Sequence, residues 1–172
     1  GAVFEEELAL CKPLQKRVTG SESLHQVRVL KDFTYAAKQI AGDGWVLAGD
    51  AFGFIDPIYS TGVFLALKGG ELAADSIIEG FEINDFSAAQ LGKHGPEFME
   101  GIDALRKLVY AFYAPSFSIA QFLKQFPEHQ ENLVHLLIGN IYRHPVDGLL
   151  KAMDEYHKLP MYNPIGIDTP TR

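Results

Sequence analysis

Cysteine is nearly missing from this sequence. Cys11 is the one cysteine among 172 residues, which excludes an internal disulfide and a multi-cysteine zinc site. Basic charge is also in deficit. Fifteen Lys and Arg stand against 22 Asp and Glu, for a net charge of −7, and this argues against nucleic acid as the main partner because a phosphate backbone calls for a basic face. No apolar run approaches the roughly 20 residues of a bilayer crossing, so no membrane span is expected. The start, Gly1-Ala2-Val3-Phe4-Glu5-Glu6-Glu7, lacks the basic and apolar segments of a secretory signal, which points to the cytoplasm. There is no internal repeat and no low-complexity tract. What is present is ordinary for a globular protein, with 47% hydrophobic and 22% charged residues. The length suits one domain, or one domain with a small appendage.

Spacing along the chain predicts mostly helix with a small β element. Val3, Phe4, Leu8, Cys11 and Leu14 fall near helical spacing with acids early, and Pro13 ends that helix or starts a new turn. Val27 to Leu30 and Phe33 to Tyr35 favour extended structure through β-branched and aromatic side chains. Ala41-Gly42-Asp43-Gly44 signals a turn, and Trp45 to Ala48 reads as a short buried strand. Ser60-Thr61-Gly62 reads as a helix start with side-chain capping, followed by a Gly- and Ala-rich helix from Val63 to Phe81, with Gly80 as its stop. Such a helix packs closely against another backbone. Asn84-Asp85 reads as a cap for the next helix. Helices are further predicted over Phe98–Tyr113, Phe117–Phe126, Glu128–Tyr142 and Val146–His157, and an extended or disordered tail over Pro160–Arg172.

The chemistry concentrates in WVLAGDAFGFIDPIYSTGVFLALKGGELAAD, from Trp45 to Asp75. A strand that delivers Gly49-Asp50 to its carboxyl end places them where α/β sheets hold ligands. Gly49, Gly53 and Gly62 allow close backbone approach. Asp50 is suited to accepting hydrogen bonds from ligand hydroxyls, and Pro57 makes a fixed wall. The helix from Val63 starts with free amides at Thr61, Gly62 and Val63, which favour an anion or an electron-rich ring edge. Asp50 also has an ordinary reading as a turn aspartate, and Ser60-Thr61-Gly62 as a plain helix cap. Tyr59 either faces a ligand or fills the core.

GDAFGFIDPIYSTGVFLAL resembles the second FAD motif of the p-hydroxybenzoate-hydroxylase class of flavoproteins: Gly-Asp-Ala, then a Pro, then a Gly opening a helix. FIDP followed by STGV looks most like the flavin-dependent halogenases and their close relatives. The strong match covers about 35 residues, and a weaker one extends back to Val27. The resemblance implies an FAD-dependent oxidoreductase, a halogenase or monooxygenase. Asp50 would accept a hydrogen bond from a ribityl hydroxyl, and Pro57 would face the isoalloxazine. The backbone around Gly62 and Val63 would point at the ring's N1/O2 edge and stabilise negative charge there; Gly49 belongs to the same cofactor-binding set. The amides at Thr61 and Gly62 would hold the halide. No residue is assigned as catalytic and no metal is implied. The substrate would be aromatic or carrier-tethered, and a flavin reductase would be a possible partner. Residues 1–83 would be the tail end of an FAD and substrate domain, and residues 84–172 a helical carboxy-terminal domain.

Two departures qualify the match. Tryptophan halogenases carry a glutamate where this chain has Tyr59, and an aromatic there looks more like the halogenases of phenols and carrier-tethered pyrroles. Those often have His after Gly-Val, where this chain has Phe64. The Gly-x-Gly-x-x-Gly fingerprint of the class has no good candidate: Gly42-Asp43-Gly44-Trp45-Val46-Leu47 lacks the third glycine and precedes a strand. The halogenase lysine and the Trp-x-Trp-x-Ile-Pro signature are not in this sequence either. The length therefore reads as a truncation, because adding a dinucleotide-binding domain of about 100–200 residues would roughly double it. Such a fragment is expected to retain FAD poorly. The alternatives are a reductase of isoprenoid chains related to geranylgeranyl reductase, and an inactive fragment that serves as an interaction module.

The remaining chemistry-bearing residues have plainer readings. His129, His135 and His144 do not form the i, i+4 pair of a helical zinc site and read as solvated. Cys11 reads as a core residue, and Arg106 and Lys107 as a solvated face. Tyr110, Phe112, Tyr113 and Phe117 read as core packing, with a substrate-pocket wall as the other possibility.

Overall fold

Prolines and left-handed residues set most of the element boundaries. The computed structural model describes residues 1–29 and 34–157, and the chain divides into two units, Gly1–Asp32 and Phe33–Arg172. Leu30, Phe33 and the tail Pro160–Arg172, for which expectations were given, lie outside the described residues.

The first unit holds α1 (Ala2–Leu10) and α2 (Lys12–Val18). The helical stretch expected over Val3–Leu14 is divided at Cys11, which has φ −98° and ψ 82°, and a new helix starts around Pro13, one of the two outcomes expected there. Pro13 explains this: its ring would clash with the carbonyl four residues back, but it fits in the first turn of a new helix. The Gln15 side-chain amide donates to the Ala9 carbonyl across the break at 2.7 Å. Neither helix has a buried residue. Cys11 is exposed, which corrects its reading as a core residue. Val27–Val29 are irregular instead of extended in a strand.

The second unit begins with four two-residue strands: β1 (Tyr35–Ala36), β2 (Ala41–Gly42), β3 (Trp45–Val46) and β4 (Gly53–Phe54). They form two separate antiparallel pairs. In one, Tyr35 faces Phe54 and Ala36 faces Gly53; in the other, Ala41 faces Val46 and Gly42 faces Trp45. The expected buried strand over Trp45–Ala48 is thus half of a small hairpin, and Trp45 is exposed. No parallel sheet occurs among the described residues. Gly44, at φ +78°, closes the hairpin turn. That turn is tied down by the Gly44 amide, which donates to the Phe86 carbonyl at 2.9 Å, and by the Asp43 carboxylate, which accepts from the Ala88 amide at 2.9 Å.

Six helices follow: α3 (Gly62–Ile83), α4 (Ala88–Leu91), α5 (Gly95–Tyr113), α6 (Ile119–Gln125), α7 (Gln130–Leu137) and α8 (Asp147–Tyr156). The molecule is mainly α with a small β element, as the residue spacing predicts. α5 is buried on most of its surface, through Phe98, Ile102, Leu105 and Leu108 among others, as expected of a helix at the centre of a core. Leu136 of α7, Leu149 and Met153 of α8 and Phe122 of α6 complete that core with Phe52 and Leu65. The apolar pattern of α3 resolves into a buried face of Leu65, Gly69, Ala73, Ser76 and Gly80. At Gly69 a β-carbon would lie 2.9 Å from the ring of Phe98, so the glycine permits the close approach of α3 to α5.

Arg106, expected on a solvated face, is buried, and its guanidinium lies 3.3 Å from Asp103. Burial raises the pKa of Asp103 above the ordinary carboxylate value, partly offset by Arg106. Lys107 pairs with Asp154 of α8. Among the described residues, no helix is long and apolar enough to cross a membrane.

Candidate functional site

The site is built where the chain turns from β3 into α3. Ala48 is extended, Gly49 flips to φ +57°, and residues Gly49–Ala51 make one turn of 3-10 helix. The positive φ is the reason for glycine here. The Asp50 side chain is exposed, while its carbonyl accepts from the Tyr35 hydroxyl at 2.8 Å. Phe52 anchors the turn in the core, edge-on to Phe98 with ring centres 4.8 Å apart. Gly53 serves packing within the protein: a β-carbon there would lie 2.9 Å from the Tyr35 carbonyl.

Asp56 opens the next turn. Its carboxylate accepts from the Ile58 amide at 3.0 Å, and Pro57–Tyr59 form a second 3-10 turn. Ser60 follows at φ 55° and ψ 36°, a left-handed conformation uncommon for a residue other than glycine. Thr61 precedes α3, but its side chain does not cap the helix, which corrects the expectation of side-chain capping. Its φ of −83° and ψ of −9° already lie near the helical region, away from the extended backbone a capping hydroxyl uses.

The consequence is an unfilled set of donors. Thr61 is 5% exposed, and its hydroxyl has no hydrogen-bond partner among the described residues. The first intrahelical bond at this end runs from the Leu65 amide to the Thr61 carbonyl at 2.9 Å. The amides of Gly62, Val63 and Phe64 have no acceptor among the described residues. A β-carbon at Gly62 would meet open space, and Val63 is exposed. The positive end of the α3 dipole and these amides favour an anion. The structure therefore brings Thr61, Gly62 and Val63 together at one helix start, with Pro57 one turn earlier and Gly49-Asp50 on the preceding turn.

Tyr59 is half-buried. Its hydroxyl has no partner among the described residues, and burial raises its pKa, so the phenol stays protonated at neutral pH. Its ring meets Phe112 edge-on at 5.9 Å. Phe112 and Tyr113, read from sequence as core packing, are both more than half exposed. The Tyr113 hydroxyl lies 3.2 Å from each carboxylate oxygen of Asp56. Sequence reasoning missed this contact, because a 57-residue separation carries no periodic signal.

The histidines divide. His94 is buried, with its Nδ1 3.2 Å from the Leu91 carbonyl and 3.4 Å from the Ser76 hydroxyl, and its Nε2 has no partner among the described residues. Burial lowers its pKa. His135, expected to be solvated, is half-buried and stacks on the exposed His144 with ring centres 3.9 Å apart. Among the described residues no group of three or more His, Cys, Asp or Glu is placed to hold a metal.

With that geometry, the chain resembles the flavin-dependent halogenases. It is 30% identical over 139 residues to 1H-pyrrole-2-carbonyl-(peptidyl-carrier protein) chlorinase of Pseudomonas fluorescens, covering 81% of this chain and 31% of that protein. It is 38% identical over 73 residues to the corresponding brominase of Pseudoalteromonas luteoviolacea, covering 42% and 18%. It is 44% identical over 76 residues to tryptophan 2-halogenase of Chondromyces crocatus, covering 44% and 15%. A tryptophan enzyme thus stands beside the carrier-bound pyrrole enzymes among these relatives. The chain spans less than a third of the length of these relatives. No protein-family model matches it.

Proposed function

We propose that this chain is the part of an FAD-dependent, halogenase-like oxidoreductase that carries the second flavin motif and the helices after it. The observation that carries this reading is the start of α3: three amides without acceptors and a buried Thr61 hydroxyl without a partner among the described residues, and open space at Gly62. Those features fit the electron-rich edge of a flavin ring and a halide beside it. FAD, when bound, supplies the redox chemistry with oxygen.

The chain's own residues would orient and polarise. Asp50 would accept from ribityl hydroxyls, on a turn that Gly49 makes possible. Pro57 would wall the ring. The Gly62 and Val63 amides would hold negative charge at the ring edge, and the Thr61 and Gly62 amides would hold the halide. Such preorganised donors act without reorienting during the reaction. The substrate would be aromatic or carrier-bound, and reducing equivalents would come from NAD(P)H directly or through a flavin reductase. We assign residues 1–83 to the FAD and substrate domain and residues 84–172 to a helical domain, and we place the protein in the cytoplasm.

Two measurements test this. The 172-residue chain should bind FAD more weakly than about micromolar, because it offers only the ring and ribityl half of a site; micromolar binding would refute the half-site reading. A longer protein containing this chain, with reduced FAD, oxygen and chloride, should yield products heavier by substitution of chlorine for hydrogen. Flavin-dependent turnover of aromatic or carrier-bound substrates that incorporates no halogen would overturn the halogenase assignment.

A further inference from the structure

Ser60 poses a physical question. A serine at φ 55° persists only where its surroundings over-determine it, yet Ser60 itself is exposed and sits at the end of a one-turn 3-10 helix. Two tethers reach this turn from one place, the last turn of α5. Phe112 packs edge-on against Tyr59, 5.9 Å between ring centres. The next residue, Tyr113, places its hydroxyl 3.2 Å from both Oδ1 and Oδ2 of Asp56. Asp56 Oδ1 in turn accepts from the Ile58 amide at 3.0 Å. α5 is the best-buried helix of its unit, and Phe112 and Tyr113 close its carboxyl end.

We propose that Tyr113 is a positioning residue: its hydroxyl clasps the Asp56 carboxylate and so holds the Pro57–Tyr59 turn in the geometry that aims the Thr61-Gly62-Val63 backbone. The link to an anion rests on the functional reading above. The clasp itself rests on the hydrogen bonds. Desolvation, and then the neighbouring negative charge of Asp56, raise the Tyr113 pKa, so the phenol keeps the proton it donates at neutral pH.

The first test uses the 172-residue chain. The Ser60 amide, which donates to the Pro57 carbonyl at 2.8 Å, reports on the turn. In Tyr113→Phe its hydrogen exchange should quicken by about fivefold, the scale of one lost hydrogen bond, while amides in the middle of α5 keep their rates. Asp56→Asn retains an acceptor for Ile58 but leaves Tyr113 a single oxygen, so it should shift Ser60 by a smaller factor. Unchanged exchange at Ser60 in Tyr113→Phe would overturn the clasp.

The second test uses the longer protein. Tyr113→Phe should raise the chloride KM by about fivefold and leave the KM of the organic substrate in place. A merely structural role would lower kcat with the active fraction and leave the chloride KM alone, and that result would overturn the positioning role. If wild-type turnover is indifferent to chloride, the halogenase reading fails, and Ser60 exchange alone decides the clasp.

Discussion

Gly49 and Ser60 both adopt left-handed backbone, and only the first is glycine. At Gly49 a β-carbon would meet Ala66 at 3.6 Å, an ordinary contact, so the penalty of a side chain there is conformational. Gly49→Ala should therefore lower stability by about 1–2 kcal/mol, seen as a lower urea midpoint with an unchanged slope. What the structure shows at Gly49 is a left-handed turn; room for close backbone approach there was legible in the sequence. The strain at Ser60 was not, because it depends on what holds the turn from outside. Thr61 shows the same limit. Its residue type announced a capping hydroxyl, but the turn before it feeds the helix from a near-helical backbone and leaves the hydroxyl buried, with no partner among the described residues.

At the scale of elements, α3 illustrates how glycines that look alike differ. Gly80 was expected to stop the helix, but the helix continues to Ile83 and ends at Asn84, which takes the left-handed cap at φ 52°. Gly80 is needed for another reason: a β-carbon there would lie 2.7 Å from the Asp85 carbonyl. Gly70, on the same helix, faces open space. Gly70→Ala should thus stabilise by roughly 0.5–1 kcal/mol through lower backbone entropy in the unfolded chain. Gly80→Ala should destabilise by about 1–3 kcal/mol, because the backbone that meets it cannot move aside cheaply. Thermal unfolding of the two variants should show shifts of opposite sign. The helices were legible through their 3.6-residue period, and extended structure at Tyr35 and Trp45–Val46 through aromatic and β-branched residues; the pairing of the strands was not, since two-residue pairs are too short to show alternation.

At the scale of the whole molecule, His94 links elements that are remote in sequence: Ser76 of α3, Leu91 of α4 and the Phe52 ring within the motif. Burial depresses its pKa below 6.5, so the folded chain favours neutral imidazole and the unfolded chain takes up the proton first. Stability from this group is present above about pH 6.5 and lost as pH falls through the lowered folded value. Denaturant midpoints should fall across that window in the wild type, and His94→Gln should remove that part of the slope whatever its effect at neutral pH. Asp103 works the other way at more acidic pH: its raised pKa favours folding while it is protonated and loses that contribution as pH rises. By itself the sequence determined the helical class, the location of the motif and the residue types that line it, because periodicity and glycine-proline punctuation are local properties of a chain. Only the tertiary structure decided that Arg106 is buried, that Trp45 is exposed, and that Tyr113 meets Asp56. Burial and hydrogen bonding between distant residues depend on how elements pack, and no local pattern encodes that.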